Sequence, residues 1–273
     1  MKGKRRRLLR LILIVIFFVS TGLWLSQRVD DAEGEAAYEN ALQIAMHGES
    51  GEVPVETVTE PTFLETAWVP APVEEDDPNL EIMEAIDLEA LRETNPEVVG
   101  WILIPDTKIN YPLMQGQDND YYLHHTWDGK SNASGSILLE YQNAPDLTDY
   151  NTILYGHNMN NGSMFAGLRR YADQGYWEKH PHIYIKIDSG VYRYDIFSSY
   201  KASVDSNIYG LSFELEKTKG LFLETAINSS QIETGILPDL TDRMLTLSTC
   251  SGAGYTTRWV VHARLKMIEI VVQ

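Results

Sequence analysis

The stretch TLSTCSGAGYTTRWVVHARL, Thr246 to Leu265, holds the only cysteine of the chain, Cys250, with Arg258 a few residues on. A lone thiol excludes an intramolecular disulfide. It also excludes a cysteine-based zinc site, which needs several thiolates at fixed spacing. Two readings remain for Cys250. Free cysteine is among the most buried residue types and packs as a small hydrophobe. As a thiolate it is also a nucleophile, and a nearby arginine favours that form. Strand phase separates the two readings. In MLTLSTC, Leu245 and Leu247 fall on one face, and Thr246, Ser248 and Cys250 fall on the other. In RWVVHARL, Trp259, Val261, Ala263 and Leu265 make an apolar face opposite Arg258, Val260, His262 and Arg264. Antiparallel pairing through the small, Gly-containing SGAGYTT loop would bring Cys250 and Arg258 to neighbouring strand ends, off the core side.

A nucleophilic cysteine also needs a proton acceptor and donor, normally histidine. His47 lies in or near the stalk described below. His180 and His182 flank Pro181 before a strand, and His124 and His125 sit in an aromatic-rich helical stretch. His262 shares the strand face of Arg258. His157 stands apart: NTILYGHNMNNGSMF places it after a hydrophobic strand and a glycine, at the mouth of a polar loop. Strand-end loops are where rigid scaffolds display catalytic groups, so His157 ranks first. No His/Asp/Glu cluster has ligand spacing of the H-E-x-x-H kind, so no metal and no cofactor is expected.

The elements that must position these residues occupy the second part of the chain. From Gly100 onward, short β-rich runs are separated by Gly, Pro, Asn and Asp: GWILIPDTKINYPLMQ, SGSILLEY, NTILYGH, HIYIKI, GVYRYDIFSSYKA, RMLTLSTC and RWVVHARLKMIEI. Helical stretches interrupt them at DNDYYLHHTW, SMFAGLRRYAD and LSFELEKTKGLFLETAINSS. Ahead of them, NLEIMEAIDLEALRETNP predicts one or two short helices, with Asn79 and Asp87 as N-caps and Pro96 as the stop. The fold class expected is mainly β with helical insertions, a closed barrel or sandwich.

The charge is uneven. Residues 1–28 carry seven of the 22 Lys/Arg and no acid, which leaves 15 basic residues against all 39 Asp/Glu in the remainder. So acidic a body lacks the basic footprint of nucleic-acid binding. The apolar run from Leu8 to Leu25 approaches the ~20 residues that cross a bilayer core. Basic residues precede it and acids follow it, which predicts a single-pass signal anchor with its N-terminus in the cytoplasm and the body outside the cell. A cleaved signal peptide is the alternative, but no small-x-small cleavage site follows. AAYENALQIAMHG would form a short juxtamembrane helix. Residues 49–78, rich in Pro and acid, read as an extended tether. The division expected is 1–28 basic head and transmembrane anchor, 29–78 juxtamembrane segment and linker, and 79–273 folded domain. Outside the cell, a thiol without a partner is a liability unless it has a use.

LSTC followed by an arginine at the start of the next strand, with YGHNMNNGSMF upstream, resembles the sortases, the membrane-anchored cysteine transpeptidases of Gram-positive bacteria. The closest match is class B, through NPEVVGWILIPDTKINYPLMQGQDNDYYLHHTW and LSFELEKTKGLFLETAIN, and it covers roughly Leu80 to Ile270. The resemblance implies a sortase-type closed β-barrel with N-terminal helices and a long helix before the seventh strand. It implies that Cys250 attacks the carbonyl of a threonine in a sorting-signal peptide and forms a thioester. His157 would act as acid and base, and Arg258 would hold the substrate backbone and the developing oxyanion. Ser248 and the backbone N–H of Ser251 would assist. An amine from a lipid-linked cell-wall precursor would then resolve the thioester. Class B members usually carry an Asp-Tyr-Arg-Asn-like run after the Gly-Ser strand. Here it is LLEYQN, with Glu140 and Gln142, and the loop between Cys250 and Arg258 is short; both bear on substrate and amine preference. The rivals are a cysteine peptidase that only hydrolyses and a non-catalytic tethered surface-binding module.

Overall fold

The structure, a computed structural model, describes residues 2–47, 77–250, 252 and 256–269. The acidic tether expected over 49–78 lies almost wholly outside the described residues. Among those described, eight strands close into a barrel: β1 (Val98–Leu103), β2 (Asn110–Met114), β3 (Ile137–Leu139), β4 (Asn151–Tyr155), β5 (His182–Ile187), β6 (Gly190–Ser203), β7 (Met244–Cys250) and β8 (Thr257–Glu269). The order around the barrel is β1-β2-β3-β4-β7-β8-β6-β5. β2–β3 and β4–β7 are the parallel pairs. The closed mainly-β architecture matches the expectation, with the first β-rich run dividing into β1 and β2.

Apolar strand residues build the main core. Leu154, Leu245, Leu247, Val261, Ala263 and Leu265 join Trp101, Ile102 and Tyr194 in the main core. Each buried aliphatic side chain contributes about 1.5–3 kcal/mol. The outer face of β7 and β8 is also covered. The helix α5 (Glu216–Ser229), between β6 and β7, lays Phe222, Leu223 and Ala226 over Met244, Val260 and Tyr200 in a second, smaller core. The face that strand phase set off the core side is therefore itself mostly a second core, open only at its end. Thr246 and His262 are fully buried, and the surface reaches solvent at Cys250 and Arg258.

The helices before the barrel follow their caps. In α2 (Pro78–Glu84), Pro78 occupies the first turn and the Asp77 carboxylate accepts from the Asn79 N–H at 3.0 Å. Asp77, not Asn79, is thus the N-cap, since a proline at the start leaves no N–H to satisfy. In α3 (Leu88–Arg92), Asp87 caps as expected, accepting from the Ala90 N–H at 2.9 Å. The stretch DNDYYLHHTW forms only a 3-10 turn at Tyr121–Leu123. SMFAGLRRYAD forms a 3-10 helix at Phe165–Ala172, followed by α4 (Gln174–Lys179).

The N-terminal helix α1 runs unbroken from Lys2 to His47, where two separate segments were expected. Its later turns pack on the barrel. Tyr38, Ala41 and Ala45 join the main core, and the Ala37 carbonyl accepts from the Trp127 Nε1–H at 2.8 Å. The single-pass anchor over Leu8–Leu25 is not supported: among the described residues no helix is long and apolar enough to cross a membrane. The apolar run belongs to one helix that continues through Asp30, Asp31 and Glu35 into barrel contacts, and Arg10 interrupts it near its start. The inside–outside topology and the membrane partner drawn from that span are likewise not supported.

Candidate active site

β7 and β8 pair antiparallel, and the register sets Cys250 directly opposite Arg258. Directly paired residues share a sheet face, so both side chains leave the barrel on the same side. β4 runs parallel to β7 on its other flank, with Tyr155 opposite Ser248. Two residues beyond Tyr155 comes His157, as Cys250 comes two beyond Ser248. The Gly156 N–H donates to the Ser248 carbonyl at 3.2 Å and continues the pairing. A Cβ on Gly156 would lie 2.5 Å from Ile137 Cδ1 and 2.8 Å from Phe165 Cγ, so only glycine fits between the strand and its histidine. Cys250, His157 and Arg258 are each half-buried. The three residues singled out in the sequence thus end three adjacent strand segments at one rim of the barrel.

The loop after His157 is pinned at several points. The Phe165 N–H donates to the His157 carbonyl at 2.9 Å, and Asn158 and Met164 form a β-bridge. Met164 adopts φ 54°, with its side chain buried and its N–H donating to Tyr111 Oη at 3.1 Å. A non-glycine residue there stores on the order of 1–3 kcal/mol of strain, which the surrounding packing holds in place. The Asn158 side-chain amide donates to the Cys250 carbonyl at 3.0 Å, joining the histidine loop to the cysteine strand. The His157 imidazole donates through Nε2 to the Leu123 carbonyl at 2.7 Å. This bond commits Nε2 as a donor, since a carbonyl only accepts.

Ser248 is buried and hydrogen-bonds Tyr209 Oη at 2.9 Å. Ser251 lies outside the described residues. Two phenols that the sequence did not single out interact with the Arg258 charge, those of Tyr155 and Tyr209. Burial pushes the Tyr209 phenol up; its bond to Ser248 and the Arg258 charge pull it down. Burial and the Glu140 charge push the Tyr155 phenol up against the same guanidinium. Tyr155 was legible in principle, two residues before His157 on one strand. Tyr209 comes from a 3-10 turn, Asn207–Tyr209, with no local signal of its role.

The remaining histidines have other partners. His262 is fully buried between Thr246 Oγ1 at 2.9 Å and Tyr200 Oη at 3.2 Å, and burial pulls its pKa down to about 3. It is neutral and built into the core. His182 pairs with Asp195 at 2.9 Å, His180 Nδ1 lies 2.9 Å from the Pro105 carbonyl, and His125 stacks on Tyr121. Among the described residues, no group of three or more His, Cys, Asp or Glu side chains could hold a metal ion.

The family model described as "Sortase domain" matches residues 102–266. Sortase B of Listeria monocytogenes is 38% identical over 166 residues, spanning 60% of this chain and 67% of that one. The structure of a Staphylococcus aureus sortase B–substrate complex superposes with a TM-score of 0.69 at 28% identity, covering 88% of this chain and all of the other. A sortase B complexed with Gly3 superposes with the same TM-score, 0.69, at 27% identity, also over 88% of this chain and all of the other. The chain belongs to the sortase family of cysteine transpeptidases, within its class B.

Proposed function

We propose that this transpeptidase cleaves a sorting-signal peptide after a threonine and transfers the acyl fragment to an amine of a cell-wall precursor. The observation that carries this reading is the placement of Cys250 opposite Arg258, with the His157 loop tied to the Cys250 carbonyl through Asn158. The Cys250 thiolate attacks the threonine carbonyl carbon, and the oxygen takes up negative charge. Arg258 stabilises that charge, which preorganised donors do more effectively than water. The C–N bond then breaks, and His157 gives its proton to the departing amine, leaving a thioester on Cys250. The incoming amine loses a proton to His157 as it attacks, and the thiolate is expelled. The covalent intermediate divides one hard step into two easier ones.

The catalytic unit in this reading runs over 79–273, with 29–78 joining it to residues 1–28. The amine specificity draws support from the sortase B complexed with Gly3. The test is partition of product. The full chain is incubated with a threonine-containing sorting peptide and rising triglycine. The amide adduct should overtake the hydrolysed acid as triglycine rises. Exclusive hydrolysis at the highest amine concentration would leave a cysteine peptidase in its place.

A further inference from the structure

Glu140 follows β3, and its residue neighbour across the sheet is Ile153 on β4, whose carbonyl accepts the Glu140 N–H at 2.9 Å. It is only 5% exposed. A buried carboxylate is costly unless its lone pairs are filled. Here Oε2 accepts from the Asn119 side-chain amide at 2.6 Å and from Tyr155 Oη at 3.0 Å, and Oε1 accepts from the Gln142 N–H at 3.3 Å. These three donors are neutral. Tyr155 is therefore fixed as a donor, since a carboxylate only accepts, and its oxygen lone pairs are left for a second partner. That phenol lies in the field of Arg258, and so does Tyr209. The hydroxyl of Tyr209 is paired in turn with Ser248 Oγ. Tyr155 sits opposite Ser248, on the sheet face that Cys250 and Arg258 share, so two phenols, each hydrogen-bonded to a buried partner, interact with the Arg258 charge.

We propose that Glu140 is a positioning residue for Arg258: it accepts the hydrogen bond of the Tyr155 hydroxyl and so turns the phenol oxygen lone pairs toward the guanidinium. This holds Arg258 where the developing oxyanion needs it, and so rests on the role assigned to Arg258 above. A displacement of about 1 Å at a reacting group costs on the order of 100-fold in rate.

The test is a mutant cycle on triglycine transfer with the full chain. Glu140→Gln keeps the volume and removes the charge. Tyr155→Phe keeps the ring. Each is expected to lower kcat by about 10- to 100-fold with KM little changed. The double variant should be no worse than the poorer single, because both act through one link. In an Arg258→Ala background, Glu140→Gln should have no further effect. Alkylation of Cys250 by iodoacetamide should run at the same rate in Glu140→Gln as in the wild type, which separates positioning from collapse of the site. Wild-type kcat in both single variants would overturn the proposal. So would a Glu140→Gln loss that persists undiminished without Arg258, or one confined to KM. If Arg258→Ala itself turned over normally, the role of Arg258 would fail first, and the two failures are distinguishable.

Discussion

The Nε2–H of His157 donates a hydrogen bond to the carbonyl of Leu123, and Gly135 packs against that same carbonyl. Gly135 has φ 55°, and a Cβ there would sit 2.6 Å from the Leu123 oxygen. The imidazole is thus oriented by backbone, through a glycine that lets two chain segments approach closely. Gly135→Ala is expected to displace the carbonyl, lower kcat by roughly tenfold or more, and destabilise the fold by about 1–3 kcal/mol. Paired measurements of kcat and thermal midpoint check this. A variant with normal stability and normal kcat would show that His157 does not depend on this contact.

Tyr38 carries α1 into the same region. Its hydroxyl donates to the Gly135 carbonyl and lies 3.2 Å from Ser136 Oγ. Tyr38→Phe leaves a buried carbonyl with one partner fewer, at a cost of roughly 1–3 kcal/mol. The thermal midpoint should fall by about 2–4 °C for each kcal/mol in a domain of this size. An unchanged midpoint would mean that α1 does not hold this corner of the barrel.

Asn158 ties the loop that carries His157 to the end of the Cys250 strand. Asn158→Ala should lower kcat about tenfold while costing about 1 kcal/mol or less in stability, since the amide is only half-buried. Rates of Cys250 alkylation and of peptide turnover, measured together, distinguish a displaced cysteine from a displaced histidine.

His262 sets the acid limit of the fold. Its pKa is pulled by burial from 6.5 to about 3, so the unfolded chain binds a proton that the folded one refuses. Stability is complete above pH 6.5 and falls as the pH drops toward about 3. The slope approaches about 1.4 kcal/mol per pH unit for one proton. Asp77 and Asp195, whose pKa values lie below the usual 3.8, add to the loss only at lower pH. Denaturant unfolding between about pH 4 and 6 isolates His262. His262→Gln should flatten the curve there, and an unchanged slope would place the proton elsewhere.

Much of the site was legible because it is built from strand ends. Period-two alternation set Cys250 and Arg258 on one face, and the polar loop after a hydrophobic strand singled out His157. What could not be read was long-range. Nothing local says that α5 returns over Thr246 and His262, so the face opposite Leu245 and Leu247 reads as open when most of it is a second core. Glu140 reads as a family departure until the parallel β4–β7 pairing shows Tyr155 beside the site. The two expected N-terminal segments are one helix, because Tyr38, Ala41 and Ala45 find a barrel surface that the sequence does not display. Asp77 displaced Asn79 as a cap for a local reason, the proline that follows it.

The mechanism turns on covalent chemistry at Cys250. The most direct measurement is mass spectrometry of the full chain quenched in acid after brief incubation with a threonine-containing sorting peptide and no amine. The expected result is an acyl adduct ending in threonine, mapped to Cys250, discharged by triglycine and absent from Cys250→Ala. Peptide cleavage at an undiminished rate in Cys250→Ala, with no adduct on the wild-type chain, would contradict it.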